Sequence, residues 1–264
     1  LVALRADGDE QGGRIVAEGH DFYAAPRLSP DGSQLAWLSW NHPDMPWDCC
    51  ELWLAEVDAA GRLHGARCLA GSRDEAVQQP MWSPDGRLHF ISDRSGWWNL
   101  YRWVDGAAEA MCPMAAEFGQ PFWNFGLCTY AFASATQLVC CIGRNAVSRL
   151  AVLDTGSLQL REIPTPFSSF GNIAAADGRV LFTGASPLQP ASVVLLQLDS
   201  GLVELLRRGS TLDVDSDDTS VAQAIEFPTA GGVTAHAFYY PPKNRDYAAP
   251  AGEKPPLLVM GHGG

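Results

Sequence analysis

Long apolar runs are missing from this sequence of 264 residues. None approaches the roughly 20 residues that a helix needs to cross a bilayer, so no membrane partner is expected. Positive charge is scarce. Eighteen Lys and Arg stand against 30 Asp and Glu, a formal net charge of −12, which leaves no electrostatic footprint for nucleic acid or an anionic membrane. Metal and redox spacings are missing too. The seven cysteines (49, 50, 68, 112, 128, 140 and 141) are odd in number, and no pair has Cys-x-x-Cys spacing, so no metal or other cofactor is predicted. Neighbours on a strand point to opposite faces, so Cys140 and Cys141 are poorly placed to act together. Reduced thiols packed as small hydrophobes in a cytoplasmic protein are the simplest reading. Helical periods between the strands are also absent, which excludes a parallel βαβ protein.

What is present is a repeat. Pro80 to Trp103 reads as turn, strand, turn, strand. Ser83-Pro84-Asp85-Gly86 suits a type I turn, with Pro presetting the second position and Gly taking the last. Leu88 to Ser92 is β-prone, Asp93-Arg94-Ser95-Gly96 turns the chain, and Trp98 to Trp103 is a second, aromatic-rich run. The same unit stands earlier as Pro26-Arg27-Leu28-Ser29-Pro30-Asp31-Gly32, then Leu35 to Ser39, then Leu52 to Val57. Two later repeats lack this turn but keep paired strands, Gln137 to Ile142 with Arg149 to Leu153, and Val180 to Thr183 with Val193 to Leu198.

The third strand of every repeat ends at an aspartate: Asp7, Asp58, Asp105, Asp154 and Asp199, at intervals of 51, 47, 49 and 45 residues. Four strands in about 40 to 50 residues is the period of a β-propeller blade. The middle strands are apolar on both faces (Leu35-Ala36-Trp37-Leu38, Val193-Val194-Leu195-Leu196), as sheets stacked between neighbours require. The prediction is an all-β, partial β-propeller of four-stranded antiparallel blades, about four and a half of them, over residues 1–210. The nine tryptophans are read as blade packing in preference to carbohydrate stacking.

The pattern breaks near Ser210. Residues 211–224 form an acidic, polar linker. Asp213-Val214-Asp215-Ser216-Asp217 resembles a calcium loop only briefly, because Asp218 stands where such a loop needs Gly and Ala224 where it needs Glu. In residues 225–264, Ile225 to Phe227 and Val233 to Tyr240 flank Thr229-Ala230-Gly231-Gly232 as a hairpin. A Pro-rich loop follows, then Leu257 to Met260 as a buried strand running into Gly261-His262-Gly263-Gly264. A glycine-rich loop after a buried strand lets backbone N–H groups approach a developing oxyanion. His262, Gly263 and Gly264 are the candidates for that role, with His262 shaping the loop and not acting as a base. Leu1 at the start and an apolar run broken off at Gly264 predict a fragment of something longer.

Other polar features expected to reach a propeller face are Asp93, Arg94, and His42 and Trp47 of the Asn41 to Cys49 loop, all candidates for controlling substrate access. An Asp93–Arg94 ion pair fixing its turn is the plainer alternative. Glu51, Glu75 and Glu117 could meet a substrate amine, but nothing separates them from ordinary surface acids.

Through the Ser-Pro-Asp-Gly turns, Ser92-Asp93-Arg94-Ser95-Gly96-Trp97-Trp98-Asn99-Leu100-Tyr101 and Pro255 to Gly264, the chain resembles the prolyl oligopeptidase family of serine peptidases. Its bacterial dipeptidyl and acylaminoacyl branch is the nearest match. The resemblance implies a propeller, usually of seven blades, capping an α/β-hydrolase domain whose first strands are residues 225–264. The active site would lie between the two, with the propeller limiting entry to short peptides. The Ser-His-Asp triad of the family follows the His-Gly-Gly loop. It would lie beyond residue 264, leaving this stretch inactive alone and dependent on its own missing hydrolase domain as partner. This sequence departs from the family in having Gly261 where Ser or another small residue is usual. A non-catalytic propeller scaffold and an esterase of the same plan are the alternatives.

Overall fold

The computed structural model of the chain describes residues 1–8, 12–145, 147–212 and 215–261. A short antiparallel pair, β1 (Val2–Ala3) and β2 (Arg14–Ile15), comes first. Four sheets of four strands follow, each a simple antiparallel meander. Blade one holds β3 (Phe22–Leu28), β4 (Gln34–Trp40), β5 (Glu51–Val57) and β6 (Leu63–Ala70). Blade two holds β7 (Val77–Trp82), β8 (Leu88–Ser92), β9 (Asn99–Val104) and β10 (Ala107–Ala110). Blade three holds β11 (Tyr130–Phe132), β12 (Gln137–Arg144), β13 (Val147–Asp154) and β14 (Leu160–Ile163). Blade four holds β15 (Ser169–Ala176), β16 (Arg179–Ser186), β17 (Gln189–Gln197) and β18 (Val203–Arg208). The hairpin of β19 (Gln223–Pro228) and β20 (Thr234–Tyr239) lies beyond them. The chain is a partial β-propeller.

The repeated turns close as their residues dictate. Gly32 N donates to Ser29 O and Gly86 N to Ser83 O, each at 2.9 Å. Both glycines are left-handed, at φ 72° and 83°, where a side chain would be disfavoured. Asp31 completes the first turn by accepting from Ser29 Oγ at 2.6 Å and Ser33 N at 3.1 Å. These donors, the Ser29 hydroxyl foremost, bring its carboxyl down to about 2.

Strand alternation then sorts the apolar side chains into three layers between four blades. Leu38, Leu52, Leu88, Phe90 and Tyr101 fill the layer between blades one and two. Ile91, Leu100, Phe118, Leu138, Cys140 and Leu153 fill the next. Val139, Cys141, Leu150, Phe170, Phe182 and Val194 fill the third. Phe90 and Ile91 therefore serve opposite faces of β8, as Cys140 and Cys141 do on β12. This two-sided burial is what the middle strands predict. Blade four is the exception: its outer face leaves Leu181 and Val193 40% and 37% exposed.

The first strand of each blade is the inner one. β3 lies against β7 and β11 against β15, while outer strands such as β6 and β18 are largely exposed. The inner strands of blades one, two and four share one irregularity, a bulge containing a left-handed non-glycine residue. These residues are Ala25, Gln79 and Asn172, at φ 48°, 52° and 52°. Pro26 and Pro80 follow the first two, which suits a position where the ladder skips a donor. Side chains then tie inner strands together. Trp82 Nε1 donates to Arg27 O at 3.0 Å. Gln79 Oε1 accepts from Thr129 N at 2.7 Å, and the buried Tyr130 hydroxyl donates to Gln79 O at 2.6 Å.

One expectation needs correction. Leu257 to Met260 forms no strand and is exposed. A strand needs a neighbour to pair with, and none of the described residues offers one. The acidic linker is largely exposed over its described residues and carries local order. Asp215 caps a short 3-10 turn, Ser216–Asp218. Arg245 reaches it through Asp215 Oδ2 at 2.7 Å and Asp218 Oδ2 at 3.2 Å.

Candidate functional site

In a meander, the links from second to third strand and from fourth strand to the next blade share one end. The chain also leaves β18 at that end, which carries three loops of interest. They are the Asn41 to Cys49 loop, the Asp93 to Gly96 turn and the long link between β10 and β11. The four access candidates therefore do lie at one end, but in separate surroundings.

His42 is exposed and is held through its backbone, its N–H donating to Asp21 Oδ2 at 3.0 Å. Trp47 is half-buried against Trp123, ring centroids 4.2 Å apart. Asp93 and Arg94 do not pair with each other. As adjacent residues in a turn they diverge. Asp93 Oδ1 accepts from Ala76 N at 2.8 Å, tying β8 back to the start of β7. Arg94 reaches Glu75 Oε1 at 2.7 Å and stacks over the Tyr101 ring, 5.2 Å from its centroid. Glu75 also accepts from Ser92 Oγ at 2.6 Å.

Glu117 joins this rim from the next link, accepting from Trp98 N at 2.8 Å. Burial raises the pKa of both Glu117 and Asp93, and the charge of Asp93 raises Glu117 further. The rim is thus acidic, with the Arg94 charge already neutralised by Glu75. Sequence reasoning could not separate Glu75 and Glu117 from other acids, because their partners lie 19 residues away in each case. Glu51 instead accepts from Trp53 Nε1 on its own strand. His262, Gly263 and Gly264 lie outside the described residues.

Along the inner strands of blades one and two is a cavity of about 330 Å³. The bulges of β3 and β7 form one wall, with Tyr23, Pro26, Arg27 and Met81; Phe122, Phe125 and Cys128 form the other. Trp123 and Phe125 are 68% and 76% exposed, so these two aromatics are not blade packing. The reading of tryptophans as core holds for Trp37 and Trp40, both buried, and fails at Trp123. Sequence reasoning missed this cavity because the two bulges become neighbours only when the blades stack. The repeated x-Pro at positions 25–26 and 79–80 was its only local sign.

The structure is similar to that of a puromycin-hydrolysing peptidase from Mycobacterium tuberculosis, with 35% identity and a TM-score of 0.89. The match covers 96% of this chain and 38% of that one. A puromycin hydrolase complexed with PGG matches at 34% identity and TM-score 0.87, over 95% of this chain and 38% of its own. Prolyl oligopeptidase B from Galerina marginata, bound to a 25mer macrocyclization substrate, shares the fold at 15% identity and TM-score 0.67. That match covers 85% of this chain and 31% of the other. No protein-family model and no curated protein matches the sequence. The chain spans under two-fifths of the length of these relatives, 38% in the first two.

The four blades correspond to part of a β-propeller of the kind these solved structures contain. The chain belongs to the prolyl oligopeptidase family.

Proposed function

We propose that the chain is the access-limiting propeller of a serine peptidase that hydrolyses short peptides. Residues 1–210 are the blades, 211–224 the linker, and 225–264 the first strands of an α/β-hydrolase domain. The Ser-His-Asp triad lies beyond residue 264. Backbone N–H groups near His262, Gly263 and Gly264 contribute to the oxyanion site, where donors aimed at developing charge lower the barrier. Asp93, Arg94, His42 and Trp47 stand at the end of the blades facing that domain and shape the entrance. The observation that carries this reading is 35% identity maintained over 96% of the chain with a puromycin-hydrolysing peptidase. The peptide PGG in a second relative supports a peptide as substrate.

A fluorophosphonate probe tests it. The intact protein should be labelled at a serine beyond residue 264, and a chain of residues 1–264 should not be. Labelling of the shorter chain, or none of the intact protein, would overturn the proposal.

A further inference from the structure

The cavity between the β3 and β7 bulges combines two features that the packing of the four described blades leaves unused. The first is apolar volume. At about 330 Å³ it is near the lower end of the ~300–1,000 Å³ usual for small-molecule sites, room for one large side chain but not for a folded partner. The second is charge. Arg27 lines the cavity and, among the described residues, forms no ion pair. Its guanidinium makes one long hydrogen bond, from Nη1 to the adjacent Pro26 O at 3.4 Å.

Arg94, Arg102 and Arg245 are each held by a carboxylate; Arg27 belongs to the arginines that are not, and it is the charged residue that lines this cavity. Arg27 is also close enough to Cys128, on the opposite wall, for its charge to work against the burial that raises that thiol. An uncommitted guanidinium fork beside an apolar cleft suits a ligand that presents a large apolar group and a carboxylate together.

We infer that this cavity is a subsite for the carboxyl-terminal residue of a short peptide. A large apolar side chain lies between Met81, Phe122 and Phe125, and the free α-carboxylate lies on Arg27. The inference rests on the peptidase reading and adds to it a preference for peptides that end in a large apolar residue with an unblocked carboxylate. The cavity runs along the inner strands, from Tyr23 toward the end that carries the Trp47–Trp123 contact to Arg27 and Met81 deeper in the blades, so a peptide held by its carboxyl terminus at Arg27 can extend toward the proposed hydrolase domain.

The test uses the intact protein with Gly-Gly-Phe, its carboxamide and Gly-Gly-Gly. Loss of a charge-assisted contact should raise KM for the carboxamide about tenfold over the acid. Arg27→Gln should bring the acid to the KM of the amide while leaving the amide unchanged, and Arg27→Lys should restore part of the difference. Phe125→Ala should raise KM for the Phe-terminated peptide but not for Gly-Gly-Gly. Equal KM for acid and amide in the unsubstituted protein, or no change with Arg27→Gln, would overturn the subsite.

Calorimetry with N-acetylphenylalanine and its amide reads the site without turnover. Acid-selective binding that Arg27→Gln abolishes supports the subsite even if no peptide is cleaved, in which case only the peptidase reading fails. Equal binding of acid and amide overturns the subsite even in an active enzyme.

Discussion

At the scale of single residues, the Ser-Pro-Asp-Gly turn shows how a local sequence carries its own structure. Ser29, Asp31, Gly32 and Ser33 lie within five positions, and every bond that closes the turn runs among them and Gln34. Such a turn is legible without knowing anything else about the fold. It also has a pH signature. The carboxyl of Asp31 falls to about 2 in the folded chain, against about 3.9 unfolded. A group depressed by folding stabilises the native state above its unfolded pKa and loses that contribution as pH falls through its folded one. The contribution of Asp31 should therefore fade between about pH 4 and pH 2. Denaturant midpoints of the intact protein measured across that window should fall more steeply than those of Asp31→Asn. Parallel curves would show that the turn carries no such linkage. The expected Asp93–Arg94 pair does not form, for the opposite reason. Sequence adjacency suggested a contact, but Arg94 meets Glu75 across a turn between different strands.

At the scale of elements, apolar runs reveal middle strands well and inner strands poorly. β8 (Leu88–Ser92) is buried along its whole length, feeding two layers at once, so Leu88, Phe90 and Ile91 make it legible as a strand despite the buried His89 and Ser92. β15 (Ser169–Ala176) carries Gly171, Asn172 and three alanines, interrupted by a bulge, and has no clean period to read. The paired strands of blades three and four were therefore visible, while their first strands were not. The same logic ranks the cost of substitutions. Phe90 is fully buried between blades one and two and stacks with Tyr101, ring centroids 5.9 Å apart. Phe90→Ala in the intact protein should cost about 3–5 kcal/mol, the lost burial plus the cavity left behind. Leu206→Ala, on the exposed outer strand of blade four, should stay within about 0.5 kcal/mol. Urea unfolding of both variants separates them, and similar losses would refute the layer assignment.

At the scale of the whole molecule, the distribution of exposed apolar surface depends on which face has a neighbour. Three layers between four blades are closed, but the outer face of blade four presents Leu181 and Val193 with Leu195 beside them. The β19–β20 hairpin and Leu257 to Met260 are likewise exposed. Their sequences read as strand and core because Val193, Leu195 and Leu257 to Met260 are apolar in the manner of buried residues. No sequence pattern states which part of a protein will cover them, and so the buried strand expected at Leu257 to Met260 was misplaced while the hairpin turned by Thr229 to Gly232 was found. Exposed apolar sheet faces and unpaired edges drive association. A chain limited to residues 1–264 should therefore self-associate, giving a weight-average mass in light scattering that rises with concentration. Leu181→Lys combined with Val193→Lys should lower that mass, because the paired charges make burial of the blade-four face unfavourable. A concentration-independent monomer from the unsubstituted 264-residue chain would mean that this face needs no cover, and that the fourth blade is stable as an end.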